Sequence, residues 1–420
     1  SVFVGPPAGP SFPIFWSSRP DGNRIGTHRA PGHTKTLPNM IDFSFDTLRP
    51  LGLNPQMAQT LATTDLPGPG MDTAATHRWM RSTAVHRETV EVHDGQQQHS
   101  ARCAARLTRD LLEAGSALAV GDWVLCTLDS HQQWWVQARV PPLSQIVRRD
   151  ADGSRHTVVS NVDTALLVMG LDLDFNLQRL ERYLALVGSS GVMPVVVLTK
   201  ADVAELTAPD QVRQRVDQVR ARVGAQVEVL AVDARTDAAA SALSPYLAMG
   251  QTLVLLGSSG AGKSTLTNSL LGWERQDTGA VREHDSRGKH TTTARSLHQL
   301  PSGACVIDTP GVRTLRPDVD AHTLGQLFED VSSLAGTCRF RNCSHQDEPG
   351  CAVRANVNPE RLKNYHKLLR ESRRDSMGAL ERQQQLAKWK VRSRASRQRA
   401  SSEQDQGDWG HGRSANKGGP

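Results

Sequence analysis

The sequence predicts an α/β protein in three parts: a small β barrel, a parallel sheet covered by helices on both faces, and a helical module that carries cysteines. Three observations carry that reading. Short strand-like runs broken by turns fill residues 76–150. From residue 157 onward, apolar runs alternate with helical periods. Three of the six cysteines fall between 338 and 351. A chain of 420 residues, 38% of them hydrophobic, is long enough for two or three domains with sizeable cores.

Residues 1–75 read as a mostly disordered N-terminal extension. The first 39 are rich in Pro and Gly and show no sustained period. Met40 opens a better-patterned stretch, MIDFSFDTLRPLGLNP, and is a candidate for the natural start. In 76–150, RETVEVHD and ARCAARL alternate around the turn DGQQQ, AVGDWVLCTLD sets a Gly-Asp turn before a strand, and QWWVQARV follows. Strands this short suggest a five-stranded OB-fold barrel, although any small β domain has the same texture. Trp123, Trp134 and Trp135 are available to stack on nucleic-acid bases or to pack the barrel.

Residues 151–318 carry the alternation of a doubly covered parallel sheet. DTALLVMG and PVVVLTK are buried-strand runs. Between them Leu177, Leu180, Leu184 and Val187 recur at helical intervals up to a glycine. VEVLAVDA, TLVLLG and ACVIDTPG continue the pattern. In 319–375, NPERLKNYHKLLRESRR starts a helix with Asn358 as cap and Pro359 at its first position. Residues 376–420 read as a basic, disordered tail.

The sheet carries chemistry at its strand ends. Gly257, Ser258, Ser259, Gly260, Ala261, Gly262, Lys263, Ser264 and Thr265 match the phosphate-binding pattern G-x-x-x-x-G-K-[ST]. Its glycines let backbone N–H groups curl around phosphate oxygens. Lys263 adds a point charge, and the Ser264 hydroxyl suits Mg²⁺. The following helix aims its positive end at the same anion. Thr199, Lys200, Ala201 and Asp202 end an earlier strand. There the Asp202 carboxylate can accept from N1–H and N2–H of guanine, a donor pair that adenine lacks. Lys200 can lay its stem along the base. Ala234, after the next strand, can bring a backbone N–H to the guanine oxygen. Asp308 in DTPG can hold Mg²⁺ through a water, and the Gly311 N–H can reach a γ-phosphate. Val312 stands where a water-orienting glutamine is common. Catalysis then needs another group, and His290 in GKHTTT is the candidate, beside the switch threonines Thr291, Thr292 and Thr293. Its alternative is a solvated loop residue.

Cys338, Cys343, His345 and Cys351 have the spacing C-x4-C-x-H-x5-C. Three thiolates and one imidazole make a closed tetrahedral set, which suits one structural Zn²⁺. Few cysteines and no apolar run near the ~18–20 residues of a membrane span point to a soluble cytoplasmic protein without a membrane partner. The net charge of +6 permits a polyanionic partner. Residues 361–400 hold 13 Lys/Arg against three acids, so the rest of the chain sums to −4. That stretch offers a salt-sensitive attraction to phosphates, or a solvated helix face.

Taken in order, VGDWV, NVD at 161–163, TKAD, GSSGAGKST, GKHTTT, DTPGVR and the cysteine set resemble the circularly permuted family called ribosome small subunit-dependent GTPase A. The resemblance runs from about residue 77 to 370 and rests on motif order as much as motif content. It implies an N-terminal OB-fold, a permuted P-loop GTPase domain and a C-terminal zinc domain. It further implies a GTP hydrolase that binds the small ribosomal subunit and its rRNA during late maturation and is stimulated by it. His290 matches the family's suspected catalytic histidine. A monomer cycling between GTP and GDP is expected. Two other classes stay open. One is an RNA-docking assembly factor in which nucleotide acts as a conformational lock, which Val312 makes credible. The other is a P-loop kinase or ATPase, disfavoured by TKAD.

Overall fold

A closed barrel leaves no strand edge unpaired, and the first sheet of this chain closes on itself. The computed structural model describes residues 43–64, 76–150, 153–208, 210–272, 295–310 and 316–376. Helices α1 (Phe45–Leu48) and α2 (Pro55–Thr63) come first, joined through a 3-10 turn at Arg49–Leu51. Ser44 and Asn54 cap them by accepting from the Thr47 and Met57 N–H groups. These helices fall inside the stretch expected to be mostly disordered. Their apolar residues account for the order: Leu48, Leu51, Leu53, Met57 and Leu61 are buried with Trp79, Trp123, Leu125 and Val140.

The barrel is built from β1 (Thr76–Val85), β2 (Val90–His93), β3 (Gln98–Cys103), helix α3 (Ala105–Glu113), β4 (Trp123–Leu128) and β5 (Trp134–Arg139). The strand order is β1-β2-β3-β5-β4, with β4 returning to β1. Only the β3–β5 pairing is parallel. This is the five-stranded OB-type closure. Alternation sorts β1 between two cores: Trp79 joins the α1–α2 cluster, while Met80 joins Val90, Val92, Ala101, Val124, Val136 and Leu107 inside. Trp123 is fully buried and Trp134 nearly so, which removes both as stacking platforms. Trp135 is half-buried and donates its indole N–H to Asp129 at 2.9 Å.

After the barrel, β6 (Gln145–Arg149) pairs with β7 (Arg155–Ser160) rather than with the barrel strands. The nucleotide-type domain then alternates β8 (Thr164–Gly170), α4 (Leu177–Gly188), β9 (Met193–Thr199), α5 (Ala201–Thr207), α6 (Gln211–Val223), β10 (Glu228–Ala231), α7 (Asp237–Leu243), β11 (Thr252–Leu256), α8 (Lys263–Leu271), β12 (Ser296–Gln299) and β13 (Cys305–Asp308). The sheet order is β10-β9-β8-β11-β13-β12, parallel except for β12. Every residue of β8 and β11 is buried, as a strand covered on both faces requires. Connections step outward from β8 through β9 to β10; the chain then returns to β11 and places β12 and β13 on its other side. The crevice beyond the ends of β8 and β11 is therefore the topological switch point, where open α/β sheets bind ligands.

Strand β14 (Arg316–Pro317) returns to pair with β6. Asp318 beside it accepts from Arg149 at 2.7 Å and Arg155 at 2.8 Å. The last module holds α9 (Ala321–Leu327), α10 (Glu329–Ala335), α11 (Ala352–Asn356) and α12 (Pro359–Ser376) around a core that includes Phe328, Val353 and Leu368. It docks on α4 through a buried polar network. The Glu181 carboxylate accepts from Arg361 at 2.7 Å, Arg222 at 3.0 Å and Asn364 at 2.5 Å. Arg361 also donates to both oxygens of Asp330, at 2.7 and 2.9 Å.

One buried arginine joins the first two modules. Arg81 of β1 donates to the carbonyls of Leu51, Gly121 (3.3 Å) and Asn161 (2.7 Å) and to the Thr252 hydroxyl (2.9 Å). Its guanidinium lies 5.4 Å from the Trp123 ring centre. Gly52 makes room: a Cβ there would sit 1.9 Å from Arg81 Nη1, and its φ of +84° is left-handed. Among the described residues no helix is long and apolar enough to cross a membrane.

Candidate nucleotide site

The phosphate-type loop follows β11 at the switch point. Gly260 and Gly262 have φ of +85° and +92°, which only glycine adopts without strain. Gly262 is the cap of α8 and lends no side chain to its first N–H groups. A Cβ on Gly262 would meet Thr199 Oγ1 at 3.1 Å, so the glycine also lets the two loops approach. Lys263 is buried and donates to the Gly257 and Ser258 carbonyls at 3.1 and 2.9 Å. Burial lowers its pKa, while Asp308 and Asp174 oppose the shift.

The base-type loop lies against this one. Thr199 Oγ1 donates to Ala261 O at 2.7 Å. Lys200 Nζ donates to Gly260 O at 2.8 Å and to Asp172 Oδ2 at 2.7 Å. Lys200 itself is left-handed, with φ +62°, and it turns the chain from β9 into α5. Asp202 sits in the first turn of α5 and is ion-paired with Arg235 at 2.5 Å. Ala234 is buried just beyond β10. Asp308 ends β13, is 8% exposed, and its Oδ1 finds no hydrogen-bond partner among the described residues. Burial raises its pKa, against the pull of Lys263 and His298.

The structure thus brings Thr199, Lys200 and Asp202 together with Gly257–Thr265 and Asp308 at one end of one sheet. His290, Thr291, Thr292, Thr293 and Gly311 lie outside the described residues, as do 1–42, with Met40, and the tail from 377. Sequence reading missed Asp172 and Asp174, which follow β8. Asp174 accepts from the Ser258 hydroxyl at 2.5 Å and from the Gly170 N–H at 3.1 Å, and it pairs with Arg179 at 2.5 Å. The signal was present: two carboxylates just past a buried strand at a switch point.

The four predicted ligands of the last module converge. The Cys338, Cys343, His345 and Cys351 donor atoms all lie within 4.8 Å of one another and could hold a metal ion. His345 Nδ1 is 3.6 Å from Cys338 Sγ and 3.5 Å from Cys351 Sγ, and the two sulfurs are 4.0 Å apart.

Comparison with known proteins places the chain among relatives. A family model described as RsgA GTPase matches residues 140–317. A Small ribosomal subunit biogenesis GTPase RsgA from Xanthomonas oryzae pv. oryzae (strain MAFF 311018) is 49% identical over 257 residues, 60% of this chain and 68% of the relative. One of the same name from Xanthomonas campestris pv. campestris (strain B100) is 42% identical over 322 residues, 72% of this chain and 85% of the relative. The chain belongs to the RsgA GTPase family. The crystal structure of YjeQ from Thermotoga maritima matches with a TM-score of 0.50 at 22% identity, over 71% of this chain and 99% of that one, a likeness of fold. As an RsgA GTPase the chain is circularly permuted: its base-type strand β9 precedes its phosphate-type strand β11, yet both open on one crevice.

Proposed function

We propose that this RsgA GTPase hydrolyses GTP while bound to the small ribosomal subunit and its rRNA, and assists late maturation of that subunit in the cytoplasm as a monomer. The observation that carries the reading is the joined pair of loops at the β8–β11 crevice. One of them ends in a carboxylate fit for guanine and the other is fit for phosphates. Relatives 42–49% identical over the matched residues are named for small-subunit biogenesis.

In this reading Thr199, Lys200, Ala201 and Asp202 select the base, with the Ala234 N–H on its oxygen. Gly257 to Thr265 surround the phosphates. Lys263 leaves its loop carbonyls to meet the β/γ-phosphates, an exchange of partners for an ammonium that is already desolvated. Ser264 and Asp308 would hold Mg²⁺, and the orphaned, buried Asp308 oxygen fits that role. When bound, the ion would neutralise charge on the phosphate oxygens. Gly311 senses the γ-phosphate, Thr291 to Thr293 form the switch, and His290 positions the attacking water. Cys338, Cys343, His345 and Cys351 hold one structural Zn²⁺. Zinc–thiolate bonds of about 2.3 Å set tetrahedral neighbours about 3.8 Å apart, close to the spacings described above.

The permuted order gives the sensing loop a reach. The chain after DTPG runs to β14, which pairs with β6, the strand that follows the barrel in sequence, and then into the cysteine module. Nucleotide state thereby sets the angle between the core and its flanking modules. Domain orientations that do not differ between GTP and GDP forms, by scattering or distance labels, overturn that step.

Steady-state hydrolysis of GTP and ATP, with and without purified small subunits, tests the whole reading. Stimulation for GTP alone is the expected result. Val312 favours a second reading, in which nucleotide locks the shape of an RNA-docking factor; subunit binding without stimulation would support it instead.

A further inference from the structure

The carboxylate assigned to the base is engaged by another group in this structure. Asp202 Oδ2 accepts from Arg235 Nη2 at 2.5 Å. Arg235 is held from its other side as well. Its Nε and Nη2 each donate to the Asp233 carboxylate at 3.1 Å, and its backbone N–H donates to Asp233 Oδ1 at 3.0 Å. Asp202 follows β9 and Asp233 follows β10, and these strands are neighbours in the sheet. The guanidinium therefore bridges the two loops that would border a base. It offers Asp202 the kind of N–H donor that the N1–H and N2–H edge of guanine would offer.

We propose that Arg235 is a latch on the base site: it holds Asp202 and must release that carboxylate before guanine can take it. The proposal rests on the reading of Asp202 as the base-selecting residue. Selection stays with Asp202, because adenine cannot use the carboxylate whether or not the arginine is there. The latch sets affinity. Its strength is modest, since the Arg235 side chain is 61% exposed and that of Asp202 27%. Exposed ion pairs of this kind shift an equilibrium by about two- to fivefold. The sign separates a latch from general electrostatics. A nucleotide is an anion, so loss of a nearby cation should weaken its binding. Loss of a latch strengthens it.

The test is titration of fluorescent GDP and ADP into the full chain and into its Arg235→Ala and Arg235→Gln variants. At low salt both variants bind GDP about two- to fivefold more tightly than the parent, and the gap closes at high salt as the ion pair is screened. ADP binding does not tighten. Unchanged or weaker GDP binding in both variants overturns the latch, and so does an equal gain for ADP. If the parent itself binds GDP and ADP alike, the base-site reading fails along with the latch. A clear guanine preference with no gain on substitution removes the latch alone.

Discussion

The hydroxyl of Thr199 donates to the carbonyl oxygen of Ala261 at 2.7 Å, a buried bond between residues 62 positions apart. It fixes the end of β9 to the loop after β11. Many base loops carry an amide-bearing asparagine at this position, where threonine offers only a hydroxyl. The threonine restores one bond, and Lys200 adds a second to the neighbouring Gly260 carbonyl at 2.8 Å. In this protein two hydrogen bonds therefore join the loop assigned to the base to the loop assigned to phosphate.

Thr199→Val tests that tie with almost no change of shape. It leaves the Ala261 carbonyl buried without its donor, a loss of about 1–3 kcal/mol. We expect the denaturation midpoint to fall by that equivalent and the affinity for GDP to drop about tenfold by calorimetry. Thr199→Ser should stay near the parent in both. Full affinity in the valine variant would mean that the loops hold their places independently.

Much of this site was legible because its chemistry sits at strand ends, where pattern and motif coincide. The glycines of the loop assigned to phosphate, the carboxylates Asp202 and Asp308 and the cysteine set each announce themselves locally. Three features did not. The order of residues 43–64 depends on a partner surface: Leu51 and Leu53 are buried in one cluster with Trp79, Trp123, Leu125 and Val140. The packing of Trp123 and Trp134 depends on which face of each strand turns inward, and a one-residue slip reverses it. Nothing in RWMRSTAV marks Arg81 for burial, yet it is fully buried, and Leu51, Gly121, Asn161 and Thr252 all offer it acceptors. Contacts between residues far apart in sequence leave no periodic trace.

Asp122 makes the barrel junction sensitive to pH. Its side chain is buried and accepts from the Ala119 N–H at 2.8 Å. Burial pushes its pKa up to about 6, against the Ala119 bond and the charges of Arg139 and Arg81. The folded protein therefore holds this proton over a range where the unfolded chain, near 4, has lost it. Stability from Asp122 is greatest below about 4 and declines as pH rises to about 6, by roughly 3 kcal/mol. Urea titrations across that range should show the decline in the parent, and Asp122→Asn should remove it. Parallel curves for the two proteins would place the titration elsewhere.

Glu181 fastens the cysteine module to the nucleotide domain. It is fully buried and serves Arg361, Arg222 and Asn364 at once. Removing one partner of such a network leaves buried cations facing each other, at about 3–5 kcal/mol. Glu181→Ala should lower the unfolding free energy by that amount and admit proteolytic cleavage between β14 and α9. Arg182→Ala also deletes an ion pair across this contact, to Glu371 at 2.7 Å, but at a less buried position. It should cost less. Equal effects of the two substitutions would contradict a docking contact centred on Glu181.

Metal removal should separate the modules by their stability. The C-terminal core is small, and Cys351 belongs to it, buried beside Phe328 and Leu368. The Cys351 thiol also accepts from the Arg354 N–H at 3.4 Å at the start of α11. A module this small gains little from apolar burial alone, so its fold leans on the four-ligand set. Elemental analysis should find one zinc per chain. A strong chelator, or Cys351→Ser, should lower the melting temperature of this module by more than about 10 °C and expose α12 to protease. GDP affinity should hold within about twofold, because the β8–β11 crevice takes no residue from residues 319–376. If chelation abolishes nucleotide binding instead, the two modules fold as one cooperative unit and the division between them is wrong.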